Sequence, residues 1–186
     1  MARNTVLRSM HDLGLAAWFG GSLMGAVGLN AAAAAPSDPR ERSQVANAGW
    51  DRWTPVNAAA IGAHLLGAAG LLVANRQRLV AQHGVASMSL AKTALTGAAL
   101  AVTALARAEG AKVSQRDGAP VAAGAEPLSE TPEDVTEAQQ RLRLLQWAIP
   151  ASTGALLLIS AYAGEQQRAS EVRSGVRQRL TAKLPG

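Results

Sequence analysis

The sequence predicts an all-α protein, a four-transmembrane-helix bundle with a basic amphipathic C-terminal helix. Two observations lead to this prediction. Three uncharged stretches of the 186-residue chain are long enough to cross a hydrocarbon core of about 30 Å, and a fourth is nearly so. Most of the 18 lysines and arginines flank these stretches, as is typical of membrane spans. The chain also has no cysteine, which excludes disulfides, thiolate metal sites and cysteine nucleophiles.

Three spans follow directly from the absence of charge. Residues 13–37 form a run of 25 uncharged residues, residues 53–75 a run of 23 and residues 144–164 a run of 21. At about 1.5 Å per helical residue, each run is long enough to span a bilayer. The predicted spans lie at about 12–35, 55–75 and 143–164.

The third span in chain order, at about 85–106, is less clear. Only the 14 residues from Thr93 to Ala106 are uncharged, so a full span has to include Lys92. A lysine near a helix end can extend its four-carbon stem along the helix and keep its ammonium group at the membrane surface. The segment is therefore predicted to cross with Lys92 near one surface.

A water-soluble bundle and a cleaved secretory signal are the two alternatives to this topology. A water-soluble bundle needs charges every three or four residues on an exposed face, and three of the runs have none. A cleaved secretory signal is an alternative for the first run alone, because Arg3 and Arg8 precede it. The run exceeds the 7 to 15 apolar residues of such signals. A single membrane domain, residues 1–186, is the favoured interpretation.

The distribution of basic residues predicts a cell-membrane protein with both termini in the cytoplasm. The segments assigned to the inner side carry ten basic residues, Arg3, Arg8, Arg76, Arg78, Lys92, Arg168, Arg173, Arg177, Arg179 and Lys183. The outer segments carry eight in longer stretches, Arg40, Arg42, Arg52, Arg107, Lys112, Arg116, Arg141 and Arg143. Placing both termini inside requires an even number of spans, which supports the third one.

The segments outside the spans have distinct compositions. The outer loop, residues 109–131, contains two prolines and several acids, and we expect it to be partly mobile. A helix is predicted to begin near Thr131 and Pro132 and to continue into the last span. The tail, residues 165–186, has apolar residues at four-residue spacing between basic ones, which predicts an amphipathic helix suited to an anionic lipid surface.

The predicted partners are the lipid bilayer and other membrane helices. Small residues at helical spacing, such as Ala17, Gly21 and Gly25, are typical of close helix packing in lipid. Such faces pack within the chain, against other membrane-protein subunits or against a second copy. Nucleic acid is excluded as a partner, because one Tyr and one Phe provide no stacking platform.

Two histidines and a lysine are the candidate site residues. His64 lies near the middle of the second span, where an ionisable side chain is a functional candidate. His11 starts the first span beside Asp12, whose carboxylate can orient the imidazole of a metal ligand. Counted from the span ends, the depths of His11 and His64 differ by about 15 Å, so we expect two separate metal candidates. Lys92 lies near the depth of His11, which predicts a cofactor pocket of His11, Asp12 and Lys92.

The residues from His11 to Gly21 read His, six residues, Trp, one residue, Gly-Gly. This pattern resembles the opening helix of copper-resistance-D-like membrane proteins and of related four-span families of unknown function, and more loosely that of HemJ-like protoporphyrinogen oxidases. The resemblance implies that His11 is a metal or haem ligand. In the HemJ-like case it also makes Lys92 a candidate cofactor-binding residue. Haem and copper are thus the implied cofactors, and neither is favoured. The chain lacks the Met-rich or His-rich segment expected of a copper carrier.

Three functions remain open at this point. The first is a non-catalytic accessory or structural component of the inner membrane. The second is a haem- or metal-binding redox or transport protein that uses His11. The third is a small transporter with His64 in its path. Enzyme motifs such as H-E-x-x-H and G-x-S-x-G are absent from the sequence.

Overall fold

The computed structural model describes residues 4–74, 76 and 85–165. Within them the chain is almost entirely helical. The elements in chain order are α1 (Thr5–Met24), a π-helical turn (Gly25–Leu29), α2 (Asn30–Ala32), α3 (Pro39–Ala74), α4 (Val85–Gln115), β1 (Val121–Ala123), β2 (Glu126–Pro127) and α5 (Glu133–Glu165). The predicted amphipathic tail helix lies outside the described residues.

Four helices are long and apolar enough to cross a membrane, which confirms the all-α four-helix prediction. They cover Thr5–Ala32, Pro39–Ala74, Ser87–Gln115 and Glu133–Tyr162, with 28 to 36 residues each. About 20 residues suffice to cross a bilayer, so each helix is at least two turns longer than the hydrocarbon core requires.

The first connection differs from the expectation. Residues 39–52 are polar and were predicted to link two spans, but they form the first turns of α3. Since helical structure continues to Ala32 on the other side, only residues 33–38 connect the two helices. Aligning α1 and α3 by the ends of their apolar runs therefore gives the wrong register.

The bundle is held mainly by three helix pairs. Helix α1 packs against α3 on one side and α5 on the other, and α4 packs against α5. Helices α3 and α4 touch little, which leaves an opening between them. Trp18 of α1 is fully buried and donates from Nε1 to the Thr103 hydroxyl of α4, 3.2 Å away. The apolar core around it consists of Leu15, Trp18, Ala99, Ile149 and Leu156.

Glycines set the distance between α1 and α3. A Cβ atom at Gly67 would lie 2.5 Å from the backbone nitrogen of His11, and one at Gly14 would lie 2.6 Å from that of His64. Further along the same interface, Gly21 and Gly25 lie against the indole rings of Trp53 and Trp50. Of the predicted small-residue seam, Gly21 and Gly25 thus pack inside the chain, whereas Ala17 is exposed.

The residues between α4 and α5, 116–132, form a small cap at the end of the bundle. The two strands form an antiparallel hairpin in the segment where a partly mobile loop was expected. The fully buried Val121 lies in this hairpin, and the neighbouring ends of α4 and α5 share a second apolar cluster around Val113, Val135 and Leu142. An ion pair between Arg116 and Asp134, at 2.9 Å, links the two helices there. The mobility of the connection stays a prediction.

Gly67→Ala tests the close approach of α1 and α3. Because the added methyl group meets backbone atoms that cannot rotate away, we expect a loss of about 1–3 kcal/mol of stability and a Tm several degrees lower. Gly62→Ala is the matched control on the same helix, since a Cβ there meets nothing within 4 Å. It should leave stability unchanged or raise it by about 0.5–1 kcal/mol. Equal Tm values for the two variants in detergent, measured by circular dichroism, would contradict the glycine contact.

Candidate functional site: a histidine pair and an apolar cavity

His11 and His64 lie side by side between α1 and α3. Their ring centroids are 4.5 Å apart and the rings are tilted by 44°. Both side chains are buried, His11 at 4% and His64 at 1% of full exposure. The expected depth difference of about 15 Å is therefore wrong. Its cause is the register: α3 begins at Pro39, so His64 pairs with the start of α1 and not with its middle.

Hydrogen bonds fix the orientation of both imidazoles. His64 Nδ1 lies 3.1 Å from the carbonyl oxygen of His11, and because a carbonyl only accepts, this nitrogen carries the hydrogen. His11 Nδ1 lies 2.7 Å from Asp12 Oδ1 and donates to the ionised carboxylate in the same way. In the neutral rings, Nε2 is then the nitrogen with the free lone pair.

The Nε2 atom of His64 is buried and has no hydrogen-bond partner among the described residues. An unpaired polar atom in a buried site is costly, and it is the feature expected of a nitrogen that takes a ligand. Nδ1 bonded to a carboxylate or a carbonyl, with Nε2 free, is also the usual state of a metal-binding histidine.

Charged groups surround the pair at the same end of the bundle. The Asp12 side chain is 58% exposed, and Lys92 is half-buried and lies within electrostatic range of Asp12 and of both histidines. The structure thus joins His11 to Asp12 and to the ring of His64, and Lys92 lies within electrostatic range of all three, so the cofactor pocket of His11, Asp12 and Lys92 stays a prediction. Asp12 favours a bound cation there, whereas Lys92 and Arg8 oppose one.

The spacing of the rings limits what the pair can hold. Two imidazole nitrogens at about 2.0–2.1 Å from one ion place ring centres about 4.5 Å apart for a coordination angle near 90°, and more than about 6 Å apart near 180°. The observed 4.5 Å equals the spacing of the 90° geometry, and it is also an ordinary contact distance for two packed rings. It does not fit haem iron held by both histidines on opposite faces of a porphyrin. Among the described residues, no group of three or more histidines, aspartates and glutamates is placed to hold a metal.

The opposite end of the bundle contains a cavity of about 330 Å³. It lies between α3, α4 and α5, and its apolar wall includes Trp50, Trp53, Ile61, Leu100 and Ile149. His64 is not among the residues that line it. The transporter alternative with His64 in its path therefore gains no support from this cavity.

A polar network closes the end of the cavity next to the hairpin, and it was not predicted from the sequence. Asn30 is buried, donates to Gln146 Oε1 at 2.5 Å and accepts from Trp50 Nε1 at 3.0 Å. Its backbone oxygen also accepts from the nitrogen of Gly124 in the hairpin, at 3.1 Å. One signal was available, because Asn30 and Gln146 are uncharged polar residues within predicted spans.

Comparisons of the chain with protein-family models, with curated proteins and with solved structures find no match. The resemblance of residues 11–21 to the opening helix of known families therefore stays a prediction.

Proposed function

We propose that this chain is an integral protein of the cell membrane, with four spans and both termini in the cytoplasm, that acts as a non-catalytic accessory or structural component. The proposal that the chain lies in a membrane is supported by the large apolar side chains that all four helices expose. Examples, with their exposed fractions, are Leu13 on α1 (71%), Leu66 on α3 (64%), Leu90 on α4 (71%) and Leu158 on α5 (74%). In water such a surface promotes aggregation, whereas lipid solvates it.

Single cysteines in this cysteine-free chain test the topology. We expect Ser129→Cys, at an exposed position in the cap, to react with a membrane-impermeant maleimide added to intact cells. Arg76→Cys, exposed at the other end of the bundle, should react only after permeabilisation. Both variants should stay in the membrane pellet after a carbonate wash. Release of the protein into the carbonate supernatant contradicts the membrane proposal, and the reverse labelling contradicts the orientation.

Helix α4 supports the accessory role. It packs mainly on α5, and small exposed residues, including Ala91, Gly97, Ala98 and Ala101, lie on its outer surface. A Cβ atom at Gly97 would meet nothing within 4 Å. Such a surface allows close approach of another helix in lipid. The partner that we favour is the α4 of a second copy.

Disulfide crosslinking tests this association. We expect Ala98→Cys, at an exposed position, to give a covalent dimer when native membranes are oxidised, because the two α4 surfaces approach closely. Ala99→Cys is the matched control, since Ala99 is fully buried and faces the core. Dimer bands on a non-reducing gel are the readout. Absence of the Ala98 dimer, or equal dimer from both variants, contradicts self-association through this surface.

A second candidate function is the binding of a transition-metal ion by His11 and His64. It is favoured by the unpaired Nε2 of His64 and by the ring spacing of 4.5 Å. Two protein ligands leave coordination positions open for water or an exogenous ligand. Such a site is suited to an ion that is transferred or takes part in a reaction, whereas a structural site has all its positions filled by protein ligands.

Zn²⁺ titration by calorimetry tests the metal candidate. We expect His64→Ala to abolish binding and Asp12→Asn to weaken it by about 10- to 100-fold, since the carboxylate orients His11 and adds favourable charge. Lys92→Gln should tighten binding, because it removes a nearby positive charge. Glu130→Gln is the control, since this exposed carboxylate lies beside the hairpin at the other end of the bundle, and it should change nothing. If neither His11 nor His64 affects the Zn²⁺ affinity, the metal candidate is wrong, and the two histidines serve only as a packing contact between α1 and α3.

A further inference from the structure

The cavity at the outer end of the bundle is separate from the histidine pair. It forms where α3 and α4 diverge. At its polar end, Asp51 of α3 pairs with Arg107 of α4 at 3.3 Å, and Asn47 of α3 donates to Asp117, just after α4, at 3.1 Å. Ala58 of α3 and Ala104 of α4 line it and are exposed, so the opening faces the surroundings of the bundle between these helices. In a membrane, this opening leads sideways into lipid.

The size of the cavity indicates how large a ligand it holds. An apolar cavity of about 150 Å³ accommodates benzene, and ligand sites start at about 300 Å³. The observed 330 Å³ therefore suits an apolar body of about a dozen heavy atoms.

Almost every polar group on the cavity wall already has a partner within the protein. The hydroxyl groups of Ser22 and Thr54 donate to the backbone carbonyls four residues earlier, at 2.7 and 2.8 Å. Thr103 likewise donates to Ala99 and accepts from Trp18. Trp50 and Gln146 are engaged by Asn30.

Two buried polar atoms of residues on the wall have no partner among the described residues. These are Trp53 Nε1, a donor, and Asn57 Oδ1, an acceptor, and both atoms are buried. The two residues are four apart on α3, so their side chains are neighbours on one face of the helix. A hydroxyl group can both accept from an indole N–H and donate to an amide oxygen, so a single hydroxyl group matches the two atoms chemically. The charged residue of the wall, Arg107, already pairs with Asp51, so the site is suited to an uncharged head group.

We propose that this cavity binds one neutral amphiphile, with an apolar body of about a dozen heavy atoms and a hydroxyl head group bonded to Trp53 and Asn57. A single water molecule also satisfies the two atoms, but its share of volume is about 30 Å³ and leaves the apolar remainder of the cavity empty. The amphiphile fills both the polar and the apolar parts. It enters from the lipid between α3 and α4.

The probe for this site is 2-bromo-1-undecanol, because its bromine lies beside the hydroxyl and quenches tryptophan fluorescence on contact, and because its size matches the cavity. Trp147→Phe is the background, since Trp147 is 53% exposed and would respond to probe dissolved in lipid or detergent. Trp18 is fully buried in the core. We expect saturable quenching of Trp50 and Trp53, relieved by competing 1-undecanol. The analogue 1-bromoundecane, which lacks the hydroxyl, should bind at least about tenfold more weakly.

Gly110→Leu and Asn57→Leu test the two halves of the site. Gly110 lines the cavity and has free space around its Cβ position, so a leucine there should occupy the volume and abolish saturable quenching. Gly97→Leu is the matched control on the same helix, away from the cavity, and should bind the probe normally. Asn57→Leu should remove the tenfold preference for the alcohol.

Three outcomes overturn the proposal. Quenching that rises linearly with probe concentration means partition into lipid only. Identical saturation curves for wild type and Gly110→Leu place the probe elsewhere. Equal affinity for the alcohol and the bromoalkane in wild type means that water alone serves the two polar atoms. The competition with 1-undecanol and the comparison of the two probes need no cavity variant, so they decide the question even where Gly110→Leu fails to fold.

Discussion

Helices α1 and α3 come into backbone contact at Gly14 and Gly67, and the rest of the structure depends on this contact. In lipid, helices associate by close packing and by hydrogen bonds between them, because the surroundings are as apolar as their side chains. The glycines supply the close packing. They also bring the His64 ring within reach of the His11 carbonyl, which adds the hydrogen bond. Trp18, one turn further along α1, then extends the contact to α4.

The polar side chains inside the bundle follow one rule with a few exceptions. Serine and threonine hydroxyl groups donate to carbonyls of their own helix, and Asn30 ties α5 and the hairpin to the end of the first span. The exceptions include His64 Nε2 at one end and two wall atoms of the cavity at the other. Gln139 Oε1 and Ser160 Oγ are also buried without a partner among the described residues. Because such an atom is costly, we propose ligands for the two places where it accompanies a second histidine or a cavity. They lie at opposite ends of the helices, so either can be occupied alone.

The sequence was sufficient to predict the four helices, because uncharged runs such as residues 53–75 reflect the solvent around each helix. It was not sufficient to predict their register. Residues 39–52 contain five charged residues and look like a loop, yet they continue α3, since a helix may extend into water at no cost to its backbone hydrogen bonds. That extension brings His64 to His11. The cavity was missed for a related reason: it depends on α3 and α4 diverging, and no local pattern encodes the distance between two helices.

Nuclear magnetic resonance of the protein in lipid bilayers, with isotope-labelled histidine, tests the central contact most directly. The chain has three histidines, so assignment by single substitutions is practical. We expect through-space contacts between the ring protons of His11 and His64, and a hydrogen on Nδ1 of His64. Rings that show no mutual contact, together with a hydrogen on Nε2 of His64, would contradict the packing of α1 against α3 described above.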